Sequence, residues 1–127
     1  MKNIVYYYGA QCFSFFMPEG YVYLIQNTHD WCYKIGFTEG VVADRLKQLS
    51  TASSQELVIV NYFKCKHYRK IEKYLHRAFH HKHQRGEWFK LDEKDTAEFL
   101  KICETAEKNY EYLIENKNYF IEKSEKN

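Results

Sequence analysis

The chain has 127 residues, 45% of them apolar and 28% charged, which suits one domain with one core and excludes disordered, collagen-like and low-complexity classes. Its net charge of +2 hides an uneven spread: residues 64–90 hold nine Lys/Arg against Glu72 and Glu87 only, while residues 92–127 hold six bases and ten acids. Four cysteines without a C-x-x-C pair argue against a disulfide scaffold or zinc ribbon and for free thiols in a reducing compartment, cytoplasmic or nuclear.

Residues 4–17 form an apolar start after Lys2, a faint likeness to a secretory leader. Tyr6, Tyr7, Tyr8, Gln11 and Ser14 break it and no small-residue cleavage site follows, so the spacing predicts an extra strand or hairpin. No apolar run reaches the roughly 18 residues of a membrane span, and no membrane partner is expected. Three segments are expected: an N-terminal extension (1–19), a central domain (20–91), and a C-terminal helix with its tail (92–127).

Residues 20–26 (GYVYLIQ) and 31–36 (WCYKIG) are rich in β-branched and aromatic residues and read as two strands. The turn formers Asn27, Thr28, His29 and Asp30 between them predict a four-residue hairpin loop. That loop places Tyr23 opposite Lys34 and Val22 opposite Ile35. Alternation then gives one apolar face (Val22, Leu24, Tyr33, Ile35) and one face bearing Tyr21, Tyr23, Lys34 and Gly36. A helix over 41–49 carries Val42, Leu46 and Leu49 on one stripe, with Arg45 at its edge. Residues 57–63 (LVIVNYF) read as a central strand. A helix over 67–82 turns Ile71, Leu75 and Ala78 inward and lines up Glu72, His76 and His80 at i, i+4 spacing. Trp88 and Phe89 resume an extended stretch as core anchors. Asp95 is the expected N-cap of a long helix to about residue 116, with Phe99, Cys103, Ala106, Tyr110 and Leu113 buried. The fold class is α/β (α+β): a small, mostly antiparallel three-stranded sheet flanked by helices, with extra N-terminal strands and a C-terminal helix. The apolar start and the acidic helix would offer a homodimer surface.

The order strand, strand, helix, strand, helix, with these polar residues on it, resembles the GIY-YIG endonuclease superfamily. Tyr21-Val22-Tyr23 and Lys34-Ile35-Gly36 match its two tripeptides. Asp44-Arg45-Leu46, the segment 48–53, Ile71-Glu72-Lys73 and Arg85-Gly86-Glu87-Trp88-Phe89 follow in order. The likeness covers about residues 20–91 and is greatest to the phage and bacterial branch whose second tripeptide reads KIG.

The resemblance implies metal-dependent hydrolysis of DNA phosphodiester bonds. It would give Tyr23 the role of proton acceptor, Lys34 that of tuning it, and Arg45 that of pairing with the phosphate. Glu72 would hold Mg²⁺ or Mn²⁺, and His76, one turn later, is the candidate for an auxiliary proton donor or phosphate contact. Lys34 stands where many members carry tyrosine, and their late-site asparagine has no clear match near Gln84. Tyr21, Lys70, Lys73, Arg77 and Arg85 are the expected contacts to single-stranded, duplex or branched DNA. Two other readings stay open: a silent nucleic-acid-binding or accessory module, and a zinc-bearing interaction domain using His76, His80, His81, His83, Cys65 and His67, whose spacing lacks a compact four-ligand pattern.

Overall fold

The computed structural model describes residues 3–8, 11–16 and 18–116, with side chains from residue 18 onward. Strands β1 (Asn3–Tyr8) and β2 (Gln11–Phe16) pair antiparallel as a hairpin of their own, Asn3 opposite Phe16. The order then runs β3 (Gly20–Asn27), β4 (Tyr33–Thr38), α1 (Val42–Ala52), β5 (Leu57–Cys65), α2 (Tyr68–Ala78), a 3-10 turn (His80–Lys82), β6 (His83–Arg85), β7 (Trp88–Phe89) and α3 (Glu93–Glu115).

The main sheet has five antiparallel strands in the order β5-β3-β4-β7-β6. This is the expected α+β class, with two strands more than the three foreseen. The added strands are the short β6–β7 hairpin, whose turn is set by Gly86 at φ 50°. Residues 57–63, expected at the centre, form an edge strand instead. Their apolar run arises because α1 covers one face of β5 and α3 the other, so both faces are partly shielded although one edge is not.

The hairpin register differs from the expectation. Tyr23 stands opposite Gly36, and Lys34 opposite Ile25. The connection is longer than four residues because side chains fold it back. Asn27 Oδ1 accepts from His29 N at 2.8 Å, Asp30 Oδ1 accepts from Cys32 N at 2.9 Å, and Trp31 takes a left-handed φ of 63°. The slip is two residues, the side-chain period of a strand, so every residue keeps its face. Val22, Leu24, Tyr33 and Ile35 pack with Ile71, Leu75, Phe79, Phe89, Phe99, Cys103 and Ala106 under α2 and α3. Tyr23 and Ile25 pack on the other face with Val42, Leu57, Leu46, Leu49 and Trp88, under α1.

Two helix details are corrected. Ala78 is exposed, and the end of α2 is buried through Phe79 instead. The N-cap of α3 is Asp92, not Asp95. Asp92 accepts from Asp95 N at 2.9 Å, while Asp95 returns the bond to Asp92 N at 3.0 Å. Both acids belong to one capping box. The three described cysteines, Cys32, Cys65 and Cys103, are buried free thiols; burial pushes the Cys103 thiol up to about 12. No helix among the described residues is long and apolar enough to cross a membrane.

Candidate functional site

The short β7 creates the site. It pairs with β4 only at Tyr33 and Lys34, and Ile35 N donates to Glu87 O at 3.1 Å just beyond. The outer edge of β4 therefore loses its strand partner at the Ile35 carbonyl, which would be left unsatisfied without a donor. Helix α2 supplies one: His76 Nε2 lies 2.8 Å from Ile35 O. A carbonyl only accepts, so Nε2 carries the hydrogen. Glu72, one turn earlier on α2, is brought to the same edge, with Oε1 3.6 Å from His76 Nε2.

Glu87 completes the arrangement from the β6–β7 hairpin. One oxygen each from Glu72 and Glu87 and a ring nitrogen of His76 lie within 4.8 Å of one another. Lys34, buried on β4, donates from Nζ to Glu87 Oε2 at 2.5 Å. Burial is the largest influence on Glu72 and pushes its carboxyl above the usual range. The nearby Glu87 adds to the rise, while His76, Lys34 and Lys73 oppose it. The cluster thus holds two carboxylates, one of them reluctant to ionise, with one ammonium already on the other.

Tyr23 reaches the same stretch of β4 from the α1 side. Its side chain is only 1% exposed and lies against Gly36, where an added Cβ would sit 2.5 Å from the phenolic oxygen. The hydroxyl bonds to no described residue, yet no buried side-chain oxygen or nitrogen among them lacks a partner. Its tip therefore touches solvent. The phenol and the His76 imidazole are tethered to consecutive residues of one strand, Gly36 and Ile35. Gly36→Ala is expected to push the phenol aside. The extra methyl should cost about 1–3 kcal/mol of stability, as overpacking does, and should impair the site's chemistry; thermal melting beside an activity assay would read both.

The other expected residues are placed less centrally. Arg45, on the helix covering the Tyr23 face, bonds to Gln48 Oε1 at 3.3 Å. Lys34 does not stand opposite Tyr23, and its ammonium is spent on Glu87, so the direct pairing foreseen across the hairpin is corrected. Tyr21 packs edge-on against Tyr62 at 5.7 Å. Arg85 pairs with Asp30 at 3.3 Å and stacks on Trp88. Lys70 lies over the Tyr110 ring. Lys73 and Arg77 are exposed one turn apart on α2 and form no ion pair among the described residues. Acids from elsewhere neutralise part of the basic segment: Glu111 faces Lys66, Glu39 faces Arg69, and Asp92 and Asp95 face Lys82. His67 is buried among Tyr110 and its neighbours, and burial holds it below the usual imidazole range.

Glu87 was not among the expected site residues. The signal for it was a lone acid within a basic run, placed between a turn glycine and an aromatic strand; its partner Lys34 lies 53 residues away.

A small α+β domain with two carboxylates and an imidazole clustered beside β4, and a buried phenol packed against Gly36 of the same strand, is the class that fold and site define. The T5orf172 domain profile matches residues 20–104, and the chain belongs to that family, one associated with nuclease and DNA-binding functions. This corrects the likeness to the GIY-YIG superfamily, a different family. The physical reason lies in the motifs: the aromatic and β-branched residues Tyr21, Val22, Tyr23 and Ile35 are also what a buried antiparallel hairpin selects for packing. No curated protein and no solved structure matches the chain.

Proposed function

We propose that the domain is a metal-dependent endonuclease that hydrolyses phosphodiester bonds of DNA. The observation that carries the reading is the cluster of Glu72, His76 and Glu87 beside Ile35, next to the Gly36 against which the Tyr23 phenol packs. Phosphodiester hydrolysis needs a proton acceptor for water, charge relief at phosphate and help for the departing oxygen.

The carboxylates fit a hard divalent cation, because Mg²⁺ and Mn²⁺ take oxygen donors. Glu72 and Glu87 would hold it. His76 is not a ligand through Nε2, since that nitrogen carries the hydrogen given to Ile35 O. A bound cation would withdraw charge from the phosphoryl oxygens.

The chain's own residues supply the rest. Tyr23, a fixed phenol with an unbonded tip, accepts the proton of the attacking water once it is phenolate. Arg45 pairs with phosphate through its fork of donors. His76 keeps its Nε2 hydrogen on Ile35 O, 3.6 Å from Glu72. Lys73 and Arg77 contact the strand beyond the reacting bond. Replacing either by glutamine is expected to weaken DNA binding and to lower the slope of log affinity against log salt by about one, measured by anisotropy titration from low to high salt.

One observation favours a second reading, a nucleic-acid-binding module without turnover. Lys34 already sits on Glu87, so the chain satisfies one carboxylate by itself. Incubation with single-stranded, duplex and branched DNA in Mg²⁺, Mn²⁺ or EDTA separates the two. Cutting that needs metal supports the nuclease; binding without cutting under every condition supports the module.

A further inference from the structure

The end of α2, the 3-10 turn and the β6–β7 hairpin enclose a cleft of about 580 Å³, lined by His76, Arg77, His80, His83, Gly86 and Phe89. Its floor is the buried Phe89 ring, against which His76 and His83 pack edge-on at 4.9 and 5.5 Å. Both imidazoles are locked. His76 Nε2 donates to Ile35 O and His83 Nε2 to Gly86 O, each at 2.8 Å. With Nε2 fixed as donor, the neutral His83 ring keeps its lone pair on Nδ1, and protonation turns that atom into a second donor.

No carboxylate lines the cleft. Of the acids on adjoining elements, Glu72 faces the lining residue His76 from behind, 3.6 Å from its Nε2, while Glu87 is held by Lys34, and Asp92 and Asp95 by Lys82 of the turn. Arg85 on the hairpin faces Asp30. Arg77 contributes a lasting positive charge to the lining, and the His80 and His83 imidazoles a switchable one. A lone metal ion does not suit these rings. Among the described residues, the one group of three with ligand spacing is Glu72, His76 and Glu87, and it includes neither His80 nor His83. A larger oxyanion does suit them, because guanidinium and imidazolium both favour phosphate oxygens.

We propose that this cleft is a phosphate-binding subsite that seats a backbone phosphate of the DNA strand next to the bond presented to Tyr23 and Glu72. His76 borders both the cleft and the carboxylate cluster, so the two positions are neighbours along one strand. This rests on the nucleic-acid reading above but not on cleavage. Histidine changes charge between about pH 5 and 8, so acidification recruits donors at His80 and His83 and tightens binding.

The test uses the full chain in EDTA, with a labelled single-stranded oligonucleotide at fixed salt and pH 5.5 or 7.5. The wild type is expected to bind about tenfold tighter at the lower pH, the size of one additional charge-assisted hydrogen bond. His80→Gln with His83→Gln should flatten that ratio. Because His83→Gln alters the hairpin, imidazole NMR signals of the wild type give a second readout. The His80 and His83 signals should move with oligonucleotide. An unchanged pH ratio in the double variant, or His80 and His83 signals unmoved by oligonucleotide, overturns the subsite. Signals that move with inorganic phosphate alone make the ligand a free phosphate and overturn its assignment to DNA. A chain that shows the pH effect but never cuts leaves the subsite standing and contradicts the nuclease reading alone.

Discussion

Replacing Tyr23 by phenylalanine is expected to lower metal-dependent cleavage by about 10²–10⁴-fold, the usual share of a positioned proton-transfer group. The ring fills one face of the sheet with Ile25, Val42 and Leu57, and phenylalanine keeps that packing. The hydroxyl bonds to no described residue, so its loss should cost less than a typical hydrogen bond, under about 1 kcal/mol. DNA affinity should be unchanged. A tyrosine that served only as core would leave cleavage intact in Tyr23→Phe. Single-turnover cutting rates beside thermal melting and anisotropy read these three quantities on one preparation.

Glu72→Gln is expected to abolish cutting and yet to raise stability near neutral pH. Burial pushes the Glu72 carboxyl up, so the folded chain holds that proton more tightly than the unfolded chain does. Stability is then greatest at low pH. It falls as pH rises from the unfolded carboxylate range, about 4.3, through the raised folded value. Glutamine has no proton to lose and escapes that penalty. The variant should therefore melt higher than the wild type at neutral pH, with the difference vanishing on the acid side. Melting curves across that range check the sign. A Glu72→Gln protein that melts lower at neutral pH would mean that its charge stabilises the fold through His76 and Lys34.

Most of the sheet was legible in the sequence because alternation survives errors of register. The hairpin loop was misjudged by two residues, since the left-handed Trp31 and the side-chain turns at Asn27 and Asp30 leave no composition signal beyond generic turn formers. Face assignment was immune to that error, and Tyr23, Lys34 and Gly36 emerged on one side as expected. Opposition was not immune, and Lys34 moved from Tyr23 to Ile25. The edge position of β5 was hidden because helices shade both of its faces, which makes an edge strand read like a central one. Glu72 and His76 were visible through helical periodicity. Glu87 was not, because its role depends on a two-residue strand ending early and on a lysine far away in the chain. The gap at the Ile35 carbonyl is a property of sheet geometry that local patterns do not report.

Titration of the purified chain with Mn²⁺, followed by the paramagnetic resonance of the free ion, tests most directly whether Glu72 and Glu87 hold one divalent cation beside Tyr23. One ion per chain is expected in the wild type, displaceable by Mg²⁺, with affinity sharply reduced in Glu72→Gln and in Glu87→Gln but retained in Tyr23→Phe. Equal binding by wild type and Glu72→Gln, or no binding by either, would contradict the assignment of that cation to the two carboxylates.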